Sequence, residues 1–244
     1  MIRLPLLDPD APEQFPDPAR ALAEPNGLLA FGGDLSPSRL LAAYRHGIFP
    51  WFSEGEPILW WSPDPRCVFH TATLLPNRSL RRQLAGKHWR VTVDQAFDGV
   101  IRGCAAPRDN HSGSWIVPAM IDAYLHLHRL GHAHSVETWE GDRLVGGIYG
   151  LAIGKLFCGE SMFSAESGGS RVALIALARL LHEEGCPLLD AQVANRHTLG
   201  LGAIEMPRAE YLAQGSRLAA LPGRVGSWAK LAPRLVQPGA AGYF

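Results

Sequence analysis

Ala133-His-Ser-Val-Glu-Thr-Trp139, then Glu140-Gly-Asp142, then Leu144-Val-Gly-Gly-Ile-Tyr-Gly-Leu-Ala-Ile153 reads as two strands joined by a turn. β-Branched and aromatic residues mark the strands, and a glycine between acids marks the turn. A second turn at Gly154-Lys155 leads into Leu156-Phe-Cys158. The pattern then changes period. Over 170–184 the apolar residues fall at 173, 174, 177, 180 and 181, one face of a helix, and Gly185 supplies its end. Leu188-Leu-Asp-Ala-Gln-Val193 returns to strand character. Antiparallel strands followed by a helix and another strand predict a mixed α+β sheet.

Upstream, a strand is expected at Cys67-Val-Phe69, a helix over 79–84, a strand at Trp89-Arg-Val-Thr-Val93 and a helix over 120–129 closed by Gly131. Residues 1–66 are rich in proline, glycine and aromatics. A short helix is expected within 36–46, where Ser36 suits the N-cap, Pro37 the first helical position and Gly47 the end. Downstream, residues 195–199 turn into a short helix ending at Gly200. The Gly-, Pro- and Ala-rich stretch at the end is expected to be a partly ordered tail.

The 244 residues suit one large domain or two small ones. With 47% hydrophobic and 19% charged residues the composition is that of a soluble globular chain. Equal numbers of basic and acidic residues, 23 each, leave no global field to draw nucleic acid or anionic membrane. No apolar run is long enough for a membrane helix, and the start lacks the basic and apolar regions of a secretory signal. Cys67, Cys104, Cys158 and Cys186 form no Cys-x-x-Cys pair, so reduced thiols in a cytoplasmic protein are expected.

Several candidate sites can be weighed on residue chemistry. His126, His128, His132 and His134 resemble a metal cluster, but Gly131 breaks the one usable four-residue spacing and no nearby acid completes a ligand set, so no metal is expected. Gly150, Gly154 and Lys155 miss the phosphate-loop spacing. Gly159-Glu-Ser161 is no nucleophile elbow, because Phe163 stands where a glycine must be. Arg78, Arg81, Arg82, Lys87 and Arg90 lie in an acid-free stretch, and the first three share a helix face. That stripe is either a phosphate contact or a solvated face. Glu160 interrupts an apolar strand end, and Asp190 and Gln192 alternate with Leu189, Ala191 and Val193. Two apart on a regular strand, Asp190 and Gln192 face the same way. Burying them requires bonded partners, which fits a structural pair and a catalytic pair equally.

Longer motifs narrow the choice. The series is Glu24-Pro-Asn-Gly-Leu-Leu-Ala-Phe-Gly-Gly-Asp-Leu-Ser36, Gly47-Ile-Phe-Pro-Trp-Phe52, Leu59-Trp-Trp-Ser-Pro-Asp-Pro-Arg66, Gly131-His-Ala-His-Ser135, Gly146-Gly-Ile-Tyr-Gly150, Phe157-Cys-Gly-Glu-Ser-Met-Phe-Ser164 and Leu189-Asp-Ala-Gln192. In this order it closely resembles the leucyl/phenylalanyl-tRNA–protein transferases, from about residue 15 to about residue 213. The resemblance implies a small N-terminal α/β domain over 1–66 and a GNAT-like acyltransferase domain over 67–244. It implies transfer of Leu or Phe, less readily Met, from aminoacyl-tRNA to proteins with N-terminal Arg or Lys, which are thereby marked for degradation. It implies no cofactor, and a cytoplasmic monomer with no membrane partner is expected. Asp190 is expected to orient and polarise Gln192, whose amide oxygen accepts a hydrogen bond from the attacking amine. The apolar pocket maps onto Ile148, Phe157, Leu174, Leu177 and Leu189. Trp115 and Glu160 map near the adenosine and the ester, and Arg78, Arg81 and Arg82 map onto the acceptor-stem contact.

Two departures bear on substrate preference. Gly168-Gly-Ser-Arg171 replaces the family's Asn-Ala-Ser-Lys, and Asn110-His-Ser-Gly-Ser114 is longer than the family's form. Two other readings stand beside the resemblance. One is a coenzyme-A-dependent N-acetyltransferase, of which Ser167-Gly-Gly-Ser170 is a weak echo. The other is a tRNA-binding module without catalysis.

Overall fold

The structure is a computed structural model that describes residues 4–107 and 116–234. In chain order the strands and helices are β1 (Leu6–Leu7), β2 (Leu28–Gly32), α1 (Pro37–Arg45), β3 (Phe49–Pro50), β4 (Leu59–Trp61), β5 (Arg66–His70), α2 (Arg78–Leu84), β6 (Trp89–Val93) and α3 (Phe97–Ala105). They continue with α4 (Pro118–Arg129), β7 (Ala133–Glu140), β8 (Arg143–Ile153), β9 (Leu156–Ser164), α5 (Gly169–Glu183), β10 (Leu188–Gln192), α6 (Arg196–Gly200), β11 (Ile204–Met206) and α7 (Arg208–Ala220). Short 3-10 helices lie at Pro18–Arg20 and Ala229–Arg234.

Two sheets organise these elements. The first is four-stranded, in the order β1-β2-β4-β3. The second is seven-stranded, in the order β11-β5-β10-β9-β8-β7-β6. The hairpin β7–β8 and the pair β8–β9 form its antiparallel centre. The sheet becomes mixed at one place: β10 runs parallel to β9, and α5 makes the crossover between them. The α+β expectation drawn from the strand–helix–strand pattern is met.

Helices cover both faces of the large sheet. α5 packs on β7, β8 and β9 from one side, while α3 and α4 pack from the other. Two glycines of β8 permit this close approach. A Cβ at Gly146 would stand 2.5 Å from the Cα of Gly169 at the start of α5, and one at Gly147 would stand 2.8 Å from a Val100 methyl of α3. Two apolar cores result. One joins α5 and α2 to the sheet. The other joins α3, α4 and α7 to α1 and the small sheet, so Leu29, Trp60, Tyr149 and Leu156 share one interior.

Local signals act where the sequence places them. The Ser36 hydroxyl accepts the Arg39 amide at 3.4 Å, Pro37 opens α1, and Gly47 turns the chain out at φ +70°. Helix α3, for which the sequence analysis gives no expectation, contains Gly99 and Gly103, which lower helix propensity. Both glycines lie under side chains of the sheet: a Cβ at Gly103 would stand 2.9 Å from the Phe163 ring. The end of the chain holds more structure than its composition suggests. Beyond Gly200 come β11 and α7, and the Trp228 ring stacks on His134 with centroids 3.9 Å apart.

Candidate active site

The parallel pair β9–β10 runs from Leu188 opposite Leu156 to Asp190 opposite Cys158, and then pairing stops. Each strand is irregular at that point. The register of β8 with β9 shifts between Tyr149 and Gly150, leaving Glu160 as the unpaired extra residue of β9. The register of β10 with β5 shifts between Asp190 and Gln192. Bulges of this kind re-aim side chains and end pairing. Where the two strands part, a cavity of about 500 Å³ opens, lined by Ile148, Met162, Phe163, Leu174 and Leu189 on its apolar side and by Glu160 and Gln192 at the parting.

A buried polar cluster underlies this opening. Arg66, at the start of β5, grips Asp190 with two parallel bonds, Nε to Oδ1 at 2.8 Å and Nη2 to Oδ2 at 2.7 Å, and donates Nη1 to the Gly47 carbonyl at 3.0 Å. The rings of Phe49 and Tyr211 lie 4.9 and 4.6 Å from the guanidinium carbon. The Tyr211 hydroxyl donates to Asp190 Oδ2 at 2.7 Å. Burial works to discharge Arg66, but the Asp190 carboxylate holds its pKa above the usual arginine value. A two-pronged, charge-assisted pair of this kind is strongly oriented.

The cluster changes what Asp190 can do. The carboxylate was expected to polarise the Gln192 amide. Instead its Oδ1 accepts the Gln192 backbone N–H at 2.9 Å, and the side-chain amide is held elsewhere. The physical reason is the broken alternation of β10: Gln192 sits at φ +60°, a region side chains other than glycine seldom occupy. Asp190 therefore tethers a strained backbone, at a cost of about 1–3 kcal/mol for such a conformation. The partner of the Gln192 side chain is Glu160, whose Oε1 accepts from Gln192 Nε2 at 2.9 Å. Glu160 Oε2 accepts from the Tyr124 hydroxyl of α4 at 2.8 Å, and Tyr124 is in turn hydrogen-bonded to Tyr44 of α1. Burial drives the Glu160 carboxyl up to about 7, against the stabilising hydrogen bonds from Tyr44, Tyr124 and Gln192 and with a further push from the Asp190 charge.

The sequence-derived residues thus fall into groups. Ile148, Leu174, Leu189, Glu160 and Gln192 line the cavity. Phe157 and Leu177, each 1% exposed, belong to the same apolar core but not to its lining, and Asp190 is fully buried beneath it. Arg78, Arg81 and Arg82 are exposed on α2. The next residue of that helix, Gln83, donates to the Ser167 carbonyl at 2.6 Å, tying α2 to the loop that precedes α5. Trp115 lies outside the described residues. Among the four histidines, an acid absent from the sequence argument does appear: Asp94 stands 2.9 Å from His134 and 4.0 Å from His128. Among the described residues no three His, Cys, Asp or Glu side chains are placed to hold a metal.

Arg66, Tyr44, Tyr124 and Tyr211 escaped the sequence reading. The tyrosines look like ordinary core residues on amphipathic helices. Arg66 carried one usable signal, a cation at the start of the apolar strand Arg66–His70, which needs a buried anion somewhere.

Comparison with known proteins agrees with the motif order. Residues 68–216 match the family described as leucyl/phenylalanyl-tRNA protein transferase, and residues 33–64 match its N-terminal domain. A leucyl/phenylalanyl-tRNA–protein transferase of Xanthomonas axonopodis pv. citri is 59% identical over 224 residues, 91% of this chain and 90% of that protein. One from Shewanella woodyi is 51% identical over 218 residues, 89% of this chain and 92% of that protein. Among solved structures, L-PGS from Bacillus licheniformis overlaps 69% of this chain and 54% of its own at 13% identity, with a TM-score of 0.38, too loose a likeness to build on. On identity and coverage alike, the chain belongs to the leucyl/phenylalanyl-tRNA protein transferase family.

Proposed function

We propose that this chain transfers Leu or Phe, and Met less readily, from aminoacyl-tRNA to the N-terminal Arg or Lys of acceptor proteins, marking them for the N-degron pathway. The observation that carries the reading is the cavity where β9 and β10 part, with an apolar wall on one side and the Glu160–Gln192 pair on the other. Such a site suits an apolar side chain held beside a reacting ester. The parallel β9–β10 pair, its α5 crossover and its early parting support a GNAT-like acyltransferase scaffold over 67–244, and the separate four-stranded sheet supports 1–66 as a small N-terminal domain. The reading takes a cytoplasmic monomer as the working form; among the described residues no helix is long and apolar enough to cross a membrane.

The acceptor's α-amine attacks the ester carbonyl, and positioning supplies much of the acceleration because the ester is already activated. That amine has an ordinary pKa of about 7.7–8.0, so a useful fraction is neutral near pH 7. Gln192 gives its amide N–H to Glu160, which leaves its amide oxygen as the group able to accept from the amine. Asp190 acts one step back, fixing the Gln192 backbone while Arg66 and Tyr211 fix Asp190. Ile148, Leu174 and Leu189 receive the transferred side chain, backed by Phe157 and Leu177. Excluding a β-branched competitor rests on shape, since one methyl group is worth about 1–3 kcal/mol. The exposed Arg78, Arg81 and Arg82 face solvent as a contact for the tRNA phosphates, and Trp115 would meet the terminal adenosine.

The test is a tagging assay with Leu-, Phe-, Met- and Ile-tRNA and an Arg-terminated peptide. Leu and Phe products, less Met product and no Ile product are expected. Folded protein that leaves the peptide untagged with every tRNA would sink the assignment.

A further inference from the structure

We propose that Glu160, which lines the cavity, is a further catalytic residue: its carboxylate takes the proton that the acceptor amine must lose, with Tyr124 and Tyr44 behind it holding that carboxylate in place. The proposal rests on the transferase reading and adds a proton path to it.

When the amine nitrogen bonds to the ester carbonyl carbon and the bond to the ribose oxygen breaks, one proton leaves nitrogen and one must reach that oxygen. Gln192 cannot hold it, because an amide oxygen accepts hydrogen bonds but is far too weak a base to be protonated at neutral pH. Asp190 does not reach it, since it is fully buried, paired with Arg66 and absent from the cavity lining. Among the described residues lining the cavity, the titratable side chains are Glu160 and the exposed His197. Of these, Glu160 bonds directly to the Gln192 amide. A proton passed from nitrogen to Glu160 and on to the departing ribose oxygen balances the step, with no net proton released.

The groups around Glu160 suit a group that is both base and acid. Tyr124 from α4 and Tyr44 from α1 donate toward it, Tyr149 from β8 and Cys158 from its own strand face it, and Asp190 from β10 repels its charge while being neutralised by Arg66 from β5. Burial raises the three tyrosines well above their usual range, so Tyr124 and Tyr44 remain neutral donors. Burial also brings Glu160 to about 7, where a carboxyl can accept and return a proton near neutrality.

The experiment is the pH dependence of single-turnover transfer from Phe-tRNA to a saturating Arg-terminated peptide. Wild type should lose rate as pH falls through about 7, in addition to the limb of the amine itself near 8. Glu160→Gln should slow transfer by about 100-fold, in line with general-base contributions, and erase the limb near 7. Tyr124→Phe removes a hydrogen bond that stabilises the carboxylate, so the same limb should move to higher pH with rate recovered there. A purely structural role for Tyr124 would not move it. His197→Gln should keep the limb whatever it does to the rate. If Glu160→Gln retains the limb, if Tyr124→Phe leaves it unmoved, or if His197→Gln is the variant that loses it, Glu160 is not the proton acceptor. Folded wild type that makes no product at any pH would overturn the transferase reading itself.

Discussion

Replacing Asp190 by alanine strands a guanidinium. Arg66 is fully buried and its two best hydrogen bonds go to that carboxylate. Removing one partner of such a pair typically costs about 3–5 kcal/mol, because the surviving charge has no water to turn to. The Tyr211 hydroxyl and the Gln192 N–H lose their acceptor at the same time. These losses share one cluster and do not add, so about 3–5 kcal/mol in all is expected, a large part of a domain's usual 5–15. A second variant separates stability from function. Arg66→Met combined with Asp190→Leu removes both charges and fills the space, and such swaps of buried pairs are often neutral. It should unfold within about 2 kcal/mol of wild type and still transfer poorly, because nothing then tethers Gln192 at φ +60°. A misplacement of about 1 Å is worth about 100-fold in rate. Urea unfolding measures the first quantity, the tagging assay the second, and filter binding should find tRNA affinity unchanged, since Asp190 does not line the cavity. An Asp190→Ala protein destabilised by less than about 1 kcal/mol would refute the buried-pair account, and a double variant transferring at the wild-type rate would refute the tether.

Two further outcomes are expected. Changing Arg81 and Arg82 together to alanine should weaken tRNA binding and lower the slope of log affinity against log salt by about one unit per lost phosphate contact; unchanged affinity in a salt titration would make the exposed α2 stripe a solvated face. The Glu160 carboxyl titrates near 7 in the fold against about 4.5 for an unperturbed group, so the folded state binds more protons between those values and wild type loses stability as pH rises through that window. That shift corresponds to about 3 kcal/mol at most, so Glu160→Gln should be the more stable protein by up to that amount at about pH 8 and equal to wild type below about pH 4 in chemical unfolding; no gain at pH 8 would contradict the buried charge.

What was legible in the sequence follows from the kind of signal each feature leaves. The hairpin at 133–153 carries β-branched and aromatic residues around a glycine turn, helix α5 carries a period of 3.6, and both appear where those signals put them. Helix α3 carries two glycines, which weaken a helix signal, and the sheet above it explains why they are glycines. The candidate residues Glu160, Asp190 and Gln192 stand out in the sequence because acids and amides in apolar strands are costly and therefore conspicuous. Its wiring was not legible. Regular alternation put Asp190 and Gln192 on one face, and the resemblance made Asp190 the orienter of the amide, but alternation fails at a bulge, and sequence seldom announces a bulge when no glycine marks it. Arg66 lies 124 positions from Asp190, so no local pattern could pair them. The same bulges give the cluster its logic. They end the pairing of β9 and β10, open the cavity, and turn Glu160 toward Gln192, while the Arg66–Asp190 pair holds the strained end of β10 in place. Strain is thus set directly at the proposed reacting centre and countered by a charge pair that never reaches the cavity, which is why its removal should be felt in rate even where stability is restored.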